Sequence, residues 1–484
     1  MRYKYFIAFF FLLTLGSCKK YLEIDPSNQQ ALVTVADVKA SLAGYLKIMK
    51  PGESITYHNS IGDVMFLTPS YWSLFEFYSD NIDFEQDYSI YIAAMGNSGK
   101  SEAKLILVND FTIPTTIWVQ HYKSVGFLNV LLEALEKAKG DAVVKQQLRN
   151  EIIVCRSIYY SKLLEYFSPY KDDQAGIPVY TAVDQPFAGL STPRSTQKEV
   201  YDFIISGVTE ALNSTVSPDA DYNLFYNKTY LNNLLAQIYW FKAESGAAET
   251  SDYSNAKKYA ADALAGVAIP GTISDYVNSL NGAFPGYVAY QRWGGYSAFN
   301  ELTYGQPYGM MPFTPHASPE LLSIFSPDDY RYQSMIQPDN TIVRPLSDWP
   351  NYFNTAPNLF KPEEAYLINI EATLKDGSEE DARILLNEFR RKRGIDSDYE
   401  GDDLIQEIIN ERRREFCYQT DMRWLDMKRY GIGITRNDLH IYNSTYNVAV
   451  EPNGYQFALP IPVDEELKLN PAMTPNPSWS EIIF

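Results

Sequence analysis

Leu231, Leu234, Leu235 and Ile238 recur at i, i+3, i+4 and i+7, the spacing of one buried helix face. The same periodicity predicts helices over Val35–Lys50, Ile117–Lys139, Ala142–Phe167, Thr196–Leu212, Tyr230–Lys242, Tyr253–Leu264, Glu363–Lys375 and Ser378–Lys392. Their ends carry ordinary stop signals: Pro51-Gly52 after the first, Gly140 after the second and Pro169 after the third. Thr196–Leu212 has a Ser/Thr-rich start that suits helix capping.

Leu404 to Gly431 has a denser pattern. Leu404, Ile405, Ile408 and Ile409 mark an apolar face, and Glu411-Arg412-Arg413-Arg414-Glu415 follows. Arg423, Asp426, Lys428 and Arg429 repeat the mixture of charge beside large apolar residues. Opposite charges at i+3 and i+4 support one another on a helix, and such clusters are usually braces between helices. A structural role is expected for this stretch.

Two segment pairs have the form of tetratricopeptide-like helix hairpins. The first joins Tyr230–Lys242 to a partner with Ala256, Ala260, Ala261 and Ala263. The second joins Glu363–Lys375 to Ser378–Lys392, with Gly377 at the turn and Ala382, Leu385, Leu386 and Phe389 on one face. Small residues let helices approach closely and stack on the next pair. The period is irregular and the loops are long. The expected fold is therefore mainly α: a tetratricopeptide-like helix-pair scaffold whose long irregular loops form a ligand-binding face.

Ile269 to Asn358 interrupts the helical pattern. It holds eleven Pro and dense aromatics, including Tyr287, Tyr290, Trp293, Tyr296, Phe299, Tyr304 and Tyr308. No long periodic segment is predicted there, and a loop of this length inside a compact protein tends to carry function. The tail from Tyr446 also reads as non-helical, with Phe457–Pro462 extended as a terminal clasp.

A chain of 484 residues has room for a sizeable core, and 45% hydrophobic content argues against disorder. A net charge of −19 argues against nucleic acid. The 38 Tyr, 25 Phe and 7 Trp lean towards a recognition surface. Cys155 and Cys417 fall in helical, partly apolar contexts, where free buried thiols are expected.

Cys18 stands apart. Arg2 and Lys4 precede the ten apolar residues Phe6 to Leu15, and Leu15-Gly16-Ser17-Cys18 follows. The run is too short to span a bilayer and reads as an export signal. Small residues before a Cys form a lipobox, at which the Cys thiol carries the lipid. The expectation is a signal peptide over residues 1–17 and one domain over 18–484 with a loop-rich insertion near 269–358, lipid-anchored through Cys18.

Enzyme chemistry finds little support. The four His show no metal-ligand spacing, and GxSxG, HExxH and Gly-rich phosphate loops are missing. Asp396, Asp398, Glu400, Gly401, Asp402 and Glu407 approximate a calcium loop, with Asp403 where an apolar residue is usual. The competing reading is an acidic turn whose Asp403 caps the next helix, with Gln406 completing a capping box. No other cofactor is implied. The best recognition candidates combine aromatic rings with polar groups, as sugar faces and hydroxyls require. They are Tyr71 and Trp72 with Asp80 and Asn81, and Arg292, Trp293 and Tyr296.

Five blocks carry a resemblance: Cys18-Lys-Lys-Tyr-Leu-Glu-Ile-Asp25, Arg149 to Tyr180, Tyr366 to Gly394, Glu411 to Gly431, and Phe457 to Pro477. In this order and spacing they resemble the SusD/RagB-like outer-membrane lipoproteins of Bacteroidota. Two departures are Gln419-Thr420-Asp421 in place of a usual Glu-Gly, and Asn476-Pro477-Ser478-Trp479 in place of Asn-Pro-Gly-Tyr. The resemblance implies a non-enzymatic, cell-surface protein in the outer membrane. It would bind a glycan and pass it to a SusC-like TonB-dependent transporter. The same fold binding a peptide, or a lipid-anchored glycoside hydrolase, are the alternative readings. Ligand loops vary widely in this family, so no site residue follows from the resemblance itself.

Overall fold

The computed structural model describes residues 32–48, 75, 78–83, 112–182, 192–219, 223–280, 288–289, 316–342, 358–418, 421–441 and 444–477. These residues are mainly helical. Helix α1 spans Val35–Ile48, α2 Thr112–Lys137, α3 Ala142–Phe167, α4 Gln197–Leu212, α5 Lys228–Lys242 and α6 Asp252–Leu264. After an insertion come α10 Pro362–Lys375, α11 Glu379–Arg391, α12 Leu404–Phe416 and α13 Met422–Tyr430.

The helices stack in chain order. Each of α2 to α6 packs on the one before it, α10 packs directly on α6, and α11 on α10. The insertion between α6 and α10 therefore leaves and rejoins the stack at neighbouring helices. Ala256, Ala260 and Ala263 of α6 are wholly buried, which is the close helix approach that their small side chains predict.

Helix α3 lies at the centre. It is buried on nearly every side, as a helix enclosed by others must be. Asp141 caps its start by accepting from the Val143 and Val144 amides. Gly140, just before it, has φ +156°, and a Cβ there would lie 2.8 Å from Val35 Cβ. Both facts require glycine. The far end of α3 is capped from the C-terminal part of the chain. Lys428 donates to Glu165 O and Ser168 O, and Asn476 donates to Phe167 O at 2.8 Å. Burial pushes the Lys428 amine down to about 7. Leu459 N bonds Tyr166 O at 2.7 Å, so the Phe457–Pro462 segment does clasp the core.

Thr196 forms a full capping box with Glu199 at the start of α4. In the second hairpin, Ser378 caps α11 and Gly377 takes φ +102°. Asp403 caps α12 by accepting from Gln406 N, but the Gln406 side chain bonds Asn410. The cap is present without the reciprocal half of the box. Cys155 and Cys417 are buried thiols outside any disulfide.

Two regions hold more regular structure than their patterns suggest. The Ile269–Asn358 stretch contains α7 (Ile273–Leu280), α8 (Pro319–Ser323) and α9 (Tyr330–Met335). These helices are too short to show periodicity above background. A strand β1 (Val288–Ala289) pairs antiparallel with β2 (Asn358–Phe360). Near the C-terminus, β3 (Ile434–Ile441) pairs antiparallel with β4 (Ser444–Val450), and Val463–Leu467 makes one π-helical turn. The tail expected from Tyr446 to lack helix thus holds that turn and a strand.

The charged stretch Leu404–Gly431 folds as α12 and α13 and acts as a brace. Arg331 of α9 is wholly buried and meets Asp329 and Glu411 at 2.7 Å and Glu415 at 2.9 Å. Arg393, also wholly buried, meets Glu415 at 2.8 Å and Glu363 at 3.1 Å. Arg412 pairs with Asp426 at 2.9 Å, and Arg429 with Glu371 at 2.7 Å. The network ties the insertion helix α9 to α10, α12 and the turn that follows α11. Burial alone would raise the Glu411 pKa, but Arg331 and Arg414 outweigh it and hold the group down to about 2.

Candidate ligand-recognition site

Two chain segments far apart in sequence, residues 78–83 and 316–318, meet at one point. Residues 78–83 run beside residues 316–318, with Ile82 bridging Ala317 antiparallel. Asp83 N donates to His316 O and Ser318 N to Asn81 O, each at 2.8 Å. The segment that follows Tyr71 and Trp72 is thereby joined to the Pro-rich insertion.

Asp80 and Asn81 sit inside that tie. Arg423 donates to both oxygens of Asp80, and Arg413 approaches Oδ1 at 3.3 Å. Burial would raise the Asp80 pKa, but the Arg423 and Arg413 guanidiniums hold it down to about 2. Asn81 is wholly buried. Its Oδ1 accepts from Arg413 Nε at 3.1 Å, and its carbonyl accepts from Tyr418 OH at 2.6 Å. Tyr418 adopts φ +60°, a conformation rare for an aromatic residue, while making this bond. A wholly buried amide has no face for a ligand, so Asn81 belongs to the brace and not to an open recognition surface. Asp80 is held by the same arginines but keeps a quarter of its side-chain surface exposed.

Tyr71, Trp72, Arg292, Trp293, Tyr296 and Cys18 lie outside the described residues. The sequence reading missed the partners of Asp80. Arg413 and Arg423 carried a visible signal as charges in an apolar helix, but nothing in the sequence links them to position 80.

The calcium-like loop is described throughout. Asp398 pairs with Arg391 at 2.5 Å, and Glu407 with Arg390 and Arg414. Arg383 Nη1 donates to Gly401 O at 2.9 Å and Tyr399 O at 3.3 Å. Asp403 serves as the helix cap. Guanidiniums thus hold two of the candidate carboxylates, and another guanidinium holds two backbone carbonyls of the loop. Among the described residues, no group of three or more His, Cys, Asp or Glu side chains is placed to hold a metal. No helix among them is long and apolar enough to cross a membrane.

Comparison with known proteins agrees with this architecture. Residues 20–240 match a SusD-like family model described as starch-binding and associating with the outer membrane, and residues 347–479 match the SusD family model. A SusD-like protein from Formosa agariphila is 26% identical over 260 residues, covering 51% of this chain and 44% of that protein. The match therefore spans less than half of that relative's length. Among solved structures, a SusD-like carbohydrate binding protein from Bacteroides vulgatus superposes with TM-score 0.66 at 18% identity, covering 91% of this chain and 97% of that one. A surface glycan-binding protein from Bacteroides fluxus gives TM-score 0.64 at 17% identity, covering 92% and 99%. At these identities the structures speak for the fold. With the two family models covering well over half of the chain, they lead to one assignment: this chain belongs to the SusD/RagB-like family.

Proposed function

We propose that this protein is a non-catalytic, cell-surface lipoprotein that binds a glycan and delivers it to a SusC-like TonB-dependent transporter in the outer membrane. The observation that carries the reading is family membership over both ends of the chain. Near full-length likeness to proteins described as carbohydrate-binding and surface glycan-binding supports it. The lipobox at Cys18 supplies the anchor. Aromatic loop residues Tyr71, Trp72, Trp293 and Tyr296, with Arg292, supply stacking faces and a polar group for a sugar. The brace around Asp80 joins residues 78–83 to residues 316–318.

The partner is tested by recovering tagged protein from detergent-solubilised outer membranes and identifying what co-purifies. A large β-barrel transporter in near-equal amount supports the delivery role. Recovery of the protein alone contradicts it. Replacing Cys18 by Ala should release the protein from membranes. Retention of that variant, with no partner present, contradicts the anchor.

A further inference from the structure

The end of the central helix is sealed by residues that come late in the chain. Ser168 N bonds Leu164 O at 3.1 Å, and the carbonyls of residues 165 to 168 must find partners beyond the helix. Lys428 of α13 donates to Glu165 O at 2.5 Å and to Ser168 O at 2.8 Å. Leu459 N donates to Tyr166 O at 2.7 Å. Asn476 Nδ2 donates to Phe167 O at 2.8 Å, where Arg194 Nη2 is a second, longer donor at 3.3 Å. Each of the four carbonyls thus accepts from Lys428, Leu459 or Asn476. Buried carbonyls left without donors are costly.

Asn476 holds the clasp together. Its Nδ2 also donates to Leu459 O at 2.6 Å, and its Oδ1 accepts from Arg194 Nη1 at 2.7 Å. One side chain therefore joins both ends of the 457–477 segment to α3 and to the approach to α4. Phe457, Leu459 and Ile461 are buried, so the inner side of the segment is core. Its outer side is bare: Val463 is 45% and Leu469 75% exposed. The segment is an outer layer laid over helices that already pack on one another.

The sequence distances set an order. Helix α3 packs on α2 and α4, its neighbours in the chain. Lys428 lies 263 and 260 positions from its two acceptors, and Asn476 lies 309 positions from Phe167. Hairpins of neighbouring helices close short loops. A contact across a long span costs loop entropy before it gains anything, unless the intervening chain is already ordered.

We propose that residues 457–477 are a latch that closes over the finished helical stack as the last step of folding. The core of the protein then stays unsealed until its C-terminal residues are free. A chain whose end is still being made cannot satisfy the end of α3, whatever its earlier helices have done.

The test refolds the full mature chain by dilution from urea and follows it by pulsed hydrogen exchange read by mass spectrometry. The Leu459 amide reports the latch, and peptides from α3 and α4 report the stack. Protection at Leu459 should appear at least about tenfold more slowly than in α3 and α4. Protection in step with α3, or ahead of it, would overturn the proposal. Asn476→Ala gives a second readout. It should speed unfolding by at least about fivefold and leave the folding rate of the stack unchanged, as for contacts absent from the transition state. A folding rate that falls while unfolding is unchanged would put the latch in the folding nucleus and overturn the proposal. The wild-type exchange experiment decides the order even where Asn476→Ala does not fold.

Discussion

Arg423 donates from Nε and Nη2 to the two carboxylate oxygens of Asp80, each at 2.7 Å, across 343 positions of sequence. The pair joins residues 78–83, the insertion at Ser318 and the brace helices α12 and α13. Residues 78–83 and 316–318 are thereby anchored to the helical stack.

Asp80→Asn should destabilise the protein by about 3 kcal/mol, because it leaves Arg423 and Arg413 with an uncompensated charge. Chemical denaturation measures this. The Asp80 pKa in the folded chain, about 2, is below the ordinary 3.8. Its stabilising contribution is therefore present above pH 3.8 and lost as pH falls towards 2. Asp80→Asn should flatten the wild-type stability profile in that window. A variant of unchanged stability that loses ligand affinity would restore Asp80 to the ligand face.

Glu415 serves two wholly buried arginines, Arg331 and Arg393. Glu415→Ala should cost about 3–5 kcal/mol and loosen the insertion where α9 meets α12. Hydrogen exchange over residues 319–336 should rise more than over α2 and α3. A uniform rise would show that α9 is not held by this network.

His121 is wholly buried, with Nδ1 on Ile117 O at 2.8 Å and no hydrogen-bond partner at Nε2. Burial pushes its pKa down to about 3 from 6.5. Between those values the unfolded chain takes up a proton that the folded chain refuses. Stability should fall by up to about 1.4 kcal/mol for each pH unit below 6.5. His121→Phe, which keeps an aromatic ring against Tyr159 and Tyr166, should reduce that slope in urea melts at pH 6.5, 5.5 and 4.5. An unchanged slope would show that His121 is not its source.

Calcium at millimolar concentration should leave the Tm unchanged, because Arg383, Arg390, Arg391 and Arg414 engage the groups of the 396–407 loop. A saturable rise in Tm, removed by chelator, would show that the cation displaces these guanidiniums.

Helix positions were legible in the sequence because burial on one side imposes a period. Ala142–Phe167 is reproduced to the residue, and Thr196 caps its helix as its type suggests. The β3–β4 hairpin was missed although β-branched residues are frequent in it. Its first strand follows α13 directly, and the polar Arg436-Asn437-Asp438 run breaks the alternation that would mark it. The short helices α8 and α9 are set by Ser318 and Asp329 caps and by contacts with α12, not by periodicity. Asp80 and Asn81 read as ligand groups because a carboxylate and an amide beside aromatics suit a sugar equally well. What decides their role is Arg413 and Arg423, over three hundred residues away. Tertiary pairing of this kind leaves no local trace.

The most direct test of the central claim is titration of the mature protein with a panel of soluble oligosaccharides and peptides by calorimetry. The account predicts saturable binding of at least one oligosaccharide, weakened about tenfold or more by Trp293→Ala with an unchanged Tm. Binding of peptides alone, or of nothing in the panel, would contradict it.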